Sequence, residues 1–225
     1  MFHIPNSKTH PVFCTKHLGV EIDSRLSWSN HIDKICKKVS SGIGIIEKAR
    51  LFVNFNTLDT LYKSLVQYHF DYCGHVWDAV GKTLSDKLQG LQNRAARVIT
   101  ASSYDTRSEA LRQHLCWDDL QTRHLKQVTT MMFQVHHGLC PEYLTDMFIK
   151  CSQSTSYSLR SASNNNYFIP RPRCEYLKTS FSYMNRGAYL WNHLSKDAKI
   201  TSSLHSFKAS LLPSDFFPHK FLIIS

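Results

Sequence analysis

Glycine is scarce in this 225-residue chain, at eight residues, no internal repeat is found, and no apolar run approaches the ~20 residues of a membrane-spanning helix. Collagen-like, repeat and transmembrane classes are therefore excluded. The opening residues Met1-Phe2-His3-Ile4-Pro5-Asn6 show neither the basic start nor the apolar stretch of a secretory signal. The seven cysteines, at 14, 36, 73, 116, 140, 151 and 174, are odd in number and lack any Cys-x-x-Cys pair. That pattern fits reduced, structural thiols in an intracellular protein rather than a disulfide scaffold. Lys37-Lys38 is too short a basic run to choose nucleus over cytoplasm. No Gly-rich phosphate loop or Gly-x-Ser-x-Gly elbow occurs, so no nucleotide cofactor or serine nucleophile is expected.

What the chain does have is apolar residues enough for a packed core (42%) and an excess of positive charge. The net charge is +10, and it is uneven: residues 1–52 carry eight basic and four acidic side chains, 53–150 carry ten of each, and 151–225 carry nine and three. Basic ends around a neutral centre favour polyanionic partners, nucleic acid foremost.

Residues 12–22 read as one or two short strands, with Asp23-Ser24-Arg25 as a turn. After Ser29-Asn30, Ile32, Ile35, Cys36, Val39, Ile43 and Ile46 recur at three- and four-residue spacings, the signature of an amphipathic helix. Asn30 with Asp33 approximates a capping box. Gly42 and Gly44 each weaken this helix by about 1 kcal/mol relative to Ala, which implies close packing or a bend. Further helices are expected after Thr57 (Leu58, Leu61, Tyr62, Leu65 and Val66 inward) and after Thr83 (Leu84, Leu88, Leu91, Ala95 and Val98 inward, Lys87, Arg94 and Arg97 outward). Others are expected from Ser108 and from Asp118, the last ended by Gly138 and Pro141. Six Ser and three Asn within 152–166 mark a linker, and Pro170 and Pro172 an extended segment. Short helices near 183–194 and 204–212 close the chain.

The expected fold is thus mainly α: a helical bundle with a short N-terminal β-hairpin and a loop-rich, partly helical C-terminal segment. The expected divisions are 1–27 (β segment), 28–150 (bundle), 151–180 (linker and extended segment) and 181–225 (C-terminal helices).

Several motifs, taken in order, carry a resemblance. They are Lys16-His17-Leu18-Gly19-Val20-Glu21-Ile22-Asp23, Leu26-Ser27-Trp28 with His31-Ile32, and His69-Phe70-Asp71-Tyr72-Cys73 with Val76-Trp77. Lys87-Leu88-Gln89 through Leu91-Gln92-Asn93-Arg94-Ala95-Ala96-Arg97 follows, then Pro170-Arg171-Pro172-Arg173, Ser180-Phe181-Ser182-Tyr183, Gly187-Ala188 and Leu190-Trp191-Asn192. The series resembles, over roughly 200 residues, the C-terminal part of reverse transcriptases of jockey-like non-LTR retrotransposons. The resemblance implies that the Lys16 block is the palm edge that grips the primer end. It implies that the basic helix is a thumb closing on the template–primer duplex, and that the later helices are a C-terminal extension. The family's catalytic Tyr-or-Phe-x-Asp-Asp turn lies upstream of that block, and here fifteen residues precede Lys16. Ser195 stands where the family usually has Pro after Trp-Asn-x-Leu.

Metal-dependent polymerisation needs carboxylates converging on two Mg²⁺ ions. The one Asp-Asp pair, Asp118-Asp119, sits at a helix start, where capping and the helix dipole account for it. No polymerase activity and no cofactor are expected. His136-His137-x-x-Cys140 with Cys151 lacks the paired half of a zinc knuckle, so no metal site is expected either. The four tryptophans border apolar stripes and read as core anchors. For nucleic acid, the candidate contacts are Lys16, Lys34, Lys37, Lys38, Lys48 and Arg50, with Arg171 and Arg173 as a weaker second group. Lys34 and Lys38, one turn apart, share a face suited to phosphates, which positions a duplex without reading its sequence. A solvated helix face is the alternative explanation for these lysines. The expected partner is an RNA–DNA or DNA duplex, with self-association through apolar surface. A helical protein-interaction scaffold, or a fossil open reading frame, is the competing reading.

Overall fold

The computed structural model describes residues 14–77, 80–154, 165–169 and 182–211. Leu18 and Gly19 both adopt positive φ (45° and 85°), the combination a two-residue hairpin turn requires, and the chain reverses there. Strand β1 (Cys14–His17) pairs antiparallel with β2 (Val20–Asp23), placing Lys16 opposite Glu21 and His17 opposite Val20. Asp23 then organises the exit. Its carboxylate accepts from the N–H groups of Arg25 (2.9 Å), Ser27 (3.1 Å) and Trp28 (3.0 Å). Burial raises the Asp23 pKa, but these donors outweigh it and hold the carboxyl below its usual range.

Helix α1 spans Ser29–Ala49. The expected Asn30–Asp33 cap is not formed: Trp28 occupies the cap position at φ 62° with no side-chain cap bond, and Asn30 lies inside the helix. The Asp23 turn fixes the entry, so the helix begins earlier than the capping pattern suggests. The inward stripe is as expected, with Ile32, Ile35, Val39, Ile43 and Ile46 buried. Burying five such side chains contributes on the order of 10 kcal/mol, well above the roughly 2 kcal/mol that Gly42 and Gly44 cost. Gly42 has a packing reason: a Cβ there would lie 2.8 Å from the Leu65 carbonyl oxygen. Gly44 has none, since nothing lies within 4 Å of its would-be Cβ.

Helix α2 (Phe55–Tyr62) is capped by Asn54, whose side chain accepts from Thr57 N–H at 2.9 Å, rather than by Thr57 itself. It continues through a π-helical turn (Lys63–Gln67) into α3 (Tyr68–Asp71), and α4 (Gly74–Trp77) follows. Helix α5 (Lys82–Thr100) packs along α1 in the same chain direction, Asp33 meeting Lys87 and Arg50 meeting Val98; its inward face is Leu88, Gln92, Ala95, Ala96 and Ile99. That face is rotated from the expected one, leaving Leu84, Leu91 and Val98 half-buried. Arg97 is not free outside either: it donates to Ser108 Oγ (2.8 Å) and lies over the Tyr104 ring. After α6 (Ser108–His114), α7 (Leu120–His136) is capped by Asp119, which accepts from Thr122 N–H at 2.8 Å. Asp118, the expected cap, instead pairs with Lys126 at 2.6 Å.

Short helices α8 (Glu142–Thr145) and α9 (Cys151–Ser154) precede α10 (Ser182–His193), α11 (Lys196–Ile200) and α12 (Leu204–Ser210). The molecule is mainly helical with a short N-terminal hairpin, as the sequence implied. Two apolar cores result. One gathers the hairpin, α1–α5 and Leu120; the other gathers α7, Phe148, Tyr167, α10 and α12. Of the structural thiols, expected to be buried, Cys36 is; Cys14, Cys73, Cys140 and Cys151 are half-buried, Cys116 is exposed at positive φ in the loop before α7, and Cys174 lies outside the described residues.

Candidate nucleic-acid interface

Helical spacing sorts the charges of α1 into two rows. Positions 34, 38, 41, 45 and 48 recur at four- and three-residue intervals and are all exposed, so Lys34, Lys38 and Lys48 share one outer row with Ser41 and Ile45. Asp33 and Glu47 lie on the opposite flank and reach across to α5, Asp33 to Lys87 at 2.7 Å and Glu47 to Arg94 at 4.0 Å. The Lys87 hydrogen bond is the main reason the Asp33 carboxyl titrates below its usual range. Lys37 sits between the rows, close enough to Asp33 to act on it electrostatically. The acidic residues of α1 thus face the neighbouring helix, while its outer lysines are exposed, Lys34 in an ion pair with Glu21 of the hairpin.

The hairpin adjoins the basic row. Lys34 forms an ion pair with Glu21, and Lys16 lies on the same sheet face as Glu21, directly across the strands. Below them His31 is buried; its Nδ1 accepts from Glu21 N–H at 3.3 Å. Burial lowers the His31 pKa, Glu21 opposes this, and Lys38 and Lys34 add to it. Helix α3 completes the surface. His69 stands near enough to Lys38 that burial first, and that ammonium second, push its pKa down. The Tyr68 ring lies against His69 at a tilt of 37°, with centroids 3.8 Å apart. Tyr72 donates from its hydroxyl to Leu18 O at 2.6 Å, which binds the hairpin turn to α3.

The structure therefore brings Lys16, Lys34 and Lys38 together, with Lys37 and Lys48 further round and along the same helix. Arg50 is separated from them. It caps the C-terminal end of α1, and its guanidinium donates to Val98 O on α5 at 3.3 Å. Arg171 and Arg173 lie outside the described residues. Sequence reasoning did not select Tyr68, His69 or Tyr72 as site residues. For His69 and Tyr72 a signal existed in the His69–Cys73 block; Tyr68 offered none, because only the fold sets α3 beside α1.

The rest of that block is structural. Asp71 makes a bidentate pair with Arg123 (2.5 and 2.6 Å) and accepts from Gln127 (3.1 Å). Phe70 O contacts His124 Nε2 at 2.9 Å, and Trp77 Nε1 donates to Tyr72 O at 3.0 Å. The first four of these bonds dock α3 onto α7, and the last ties α4 to the end of α3. The Gln89–Gln92 motif is likewise a brace: Gln89 accepts from Leu120 N–H and buried Gln92 donates to Asp118 O. Trp28, Trp77 and Trp191 are buried, and Trp117 stacks on Tyr62 at 3.7 Å. His136 and His137 pack on Trp191 and Phe133, and among the described residues no group of three His, Cys, Asp or Glu is placed to hold a metal ion.

In comparisons with known proteins, 103 residues of this chain are 25% identical to a Drosophila melanogaster protein described as a probable RNA-directed DNA polymerase from transposon X-element. The match takes in 44% of this chain and 11% of that relative, so it spans about a tenth of the relative's length. It supports a distant relation to a transposon-encoded reverse transcriptase. No family model matches the chain, and no solved structure does. Among the described residues, no helix is long and apolar enough to cross a membrane.

Proposed function

We propose that this chain is a non-catalytic part of a retrotransposon reverse transcriptase, corresponding to the palm edge, thumb and C-terminal extension of the jockey-like kind. Its residual activity is weak, sequence-tolerant binding of an RNA–DNA or DNA duplex along α1. In this reading, residues 1–27 form the palm edge, 28–150 the thumb and following bundle, 151–180 the linker and 181–225 the extension. The observation that carries it is the exposed row Lys34–Lys38–Lys48, set beside the hairpin and free of the acidic residues that the same helix turns toward α5. Such a row meets phosphates at intervals along a groove and leaves the bases unread.

Fluorescence anisotropy with a short duplex tests this. Contact with about four phosphates gives a log–log salt slope of roughly −3 to −4. Lys34→Glu with Lys38→Glu should abolish most of the binding at low salt while leaving the helical circular dichroism intact. Salt-independent affinity, or full binding by the double variant, would overturn the duplex reading. Primer extension with Mg²⁺ by the purified chain would overturn the non-catalytic one.

A second reading, a helical protein-interaction scaffold, draws on Leu51 (76% exposed) and Phe52 (85% exposed) at the corner between α1 and α2. Retention of a protein partner by the lysine double variant, with nucleic-acid binding unchanged, would favour it.

A further inference from the structure

Beside the lysine row lies the outward side of helix α3, which packs against α1. Helix α3 directs Phe70 into the core, Asp71 toward Arg123 on α7, and His69 toward Lys38 on α1. Successive residues of a helix point about 100° apart, so Tyr68 and the following Tyr72 fall on the remaining, outward side. Both are half exposed, at 49% and 50%. Their roles differ. Tyr72 has its hydroxyl tied to Leu18 O, so it holds the hairpin turn in place. Tyr68 has no such tie among the described residues; its ring meets that of His69 at a tilt of 37° and stays half exposed. A half-exposed aromatic ring set beside a second ring, on a helix packed against the lysine-bearing α1, is a platform for a nucleobase whose phosphate reaches the ammonium groups of that helix.

The charges agree with that occupant. Lys16, Lys34 and Lys38 outnumber Glu21, the acidic residue placed among them, and Glu21 is itself paired with Lys34. Asp71, on the far flank, is neutralised by its bidentate arginine. The local field is positive, and a stacked base carries its phosphate into it.

We infer that Tyr68 is a stacking platform for an unpaired nucleotide, so that this face prefers a duplex with a single-stranded end over a blunt one. The inference rests on the reading of α1 as the phosphate-contacting helix and adds to it the class of nucleic acid preferred. Stacking on a protein aromatic contributes about 1–3 kcal/mol per base, so the preference should be at least about fivefold in Kd.

The probe is a short DNA duplex with a single-stranded overhang carrying 2-aminopurine, set against the blunt duplex of equal paired length. The intact chain should bind the overhang form at least about fivefold more tightly and quench the 2-aminopurine fluorescence. Tyr68→Ala should remove both the preference and the quenching, bringing overhang binding down to that of the blunt duplex; Tyr68→Phe, which keeps the ring, should retain them. Equal affinity for the two duplexes overturns the inference while leaving the lysine reading standing. So does a Tyr68→Ala loss shared equally by both. Absence of binding to either duplex by the intact chain overturns both. Quenching needs no variant, so a Tyr68→Ala chain that misfolds still leaves that result to decide.

Discussion

The two cores differ in where they place charged side chains. The N-terminal core, from the hairpin to α5, keeps its lysines outside and turns its acidic side chains sideways into exposed interhelical pairs. The C-terminal core draws polar groups in. Asn192 accepts from Tyr167 N–H and donates to Tyr167 O, both at 2.8 Å, which joins the segment bridged to Lys150 onto α10. Trp191 Nε1 donates to Asn165 O at 3.0 Å. Lys199 is only 5% exposed; its ammonium donates to Asn166 Oδ1 and Asn192 O, and burial pulls its pKa below the usual lysine value. His136 reaches the Tyr167 hydroxyl at 3.2 Å. An exposed ion pair is worth little and is readily exchanged for a ligand phosphate, whereas a satisfied buried network fixes one arrangement and leaves few groups for a partner. The difference teaches why the candidate interface lies on the first core.

The largest test removes the centre of the second core. Trp191→Ala should cost about 3–5 kcal/mol, as large aromatic deletions do. Hydrogen exchange should then accelerate across α10 and α12 before α1 responds; uniform acceleration would mean that the two cores unfold as one. Next come two glycines, one per core. Gly42→Ala meets the Leu65 backbone carbonyl, which cannot swing away, and should cost about 2–3 kcal/mol in urea unfolding. Gly187→Ala meets Met132 Sδ at 2.8 Å, the flexible part of a side chain, and should cost under about 1 kcal/mol. Equal costs would remove this distinction between the cores.

Acidity should select the second core as well. Burial holds His136 at about 4, below its ordinary value of 6.5, with Lys150, His137 and Lys199 acting in the same direction. Above pH 6.5 the ring is neutral in both folded and unfolded chains and contributes no pH dependence. As pH falls from 6.5 toward 4, the unfolded chain takes up a proton that the folded chain refuses, so stability declines across that window and levels off below it. Allowing for partial exposure, the loss is about 2 kcal/mol. Chemical denaturation at pH 7.5 and pH 4.5 should show this part of the decline missing in His136→Gln. The smallest effect is a gain: Gly44→Ala fills open space on α1 and should stabilise by up to about 1 kcal/mol, read as a small rise in Tm.

Periodicity alone revealed α1, its buried stripe and its lysines, because a 21-residue helix repeats its signal over nearly six turns. Caps were less legible. At Asn54, Asp119 and Trp28 the true cap lay one to three residues from the expected one, because neighbouring polar residues compete for the same few N–H groups and the preceding turn decides among them. Leu65 and Val66 continued the apolar pattern of α2 without marking their turn as π-helical, and α3 gave no pattern, since a single turn carries too few residues to show a period. Half of the candidate interface was hidden for the same reason: its lysines repeat along one helix, and its aromatics come from another.

Composition and spacing by themselves determined a helical protein with a reversing N-terminal ribbon and a positively charged first long helix, since those follow from local preference and from where apolar side chains recur. Only the tertiary structure decided that Asp33 and Glu47 turn to α5 while Lys34 and Lys38 stay in water, that Tyr68 stands beside them, and that Lys199 is drawn inside. Each of those depends on which element packs against which. A contact between residues distant in the chain leaves no periodic trace in either partner.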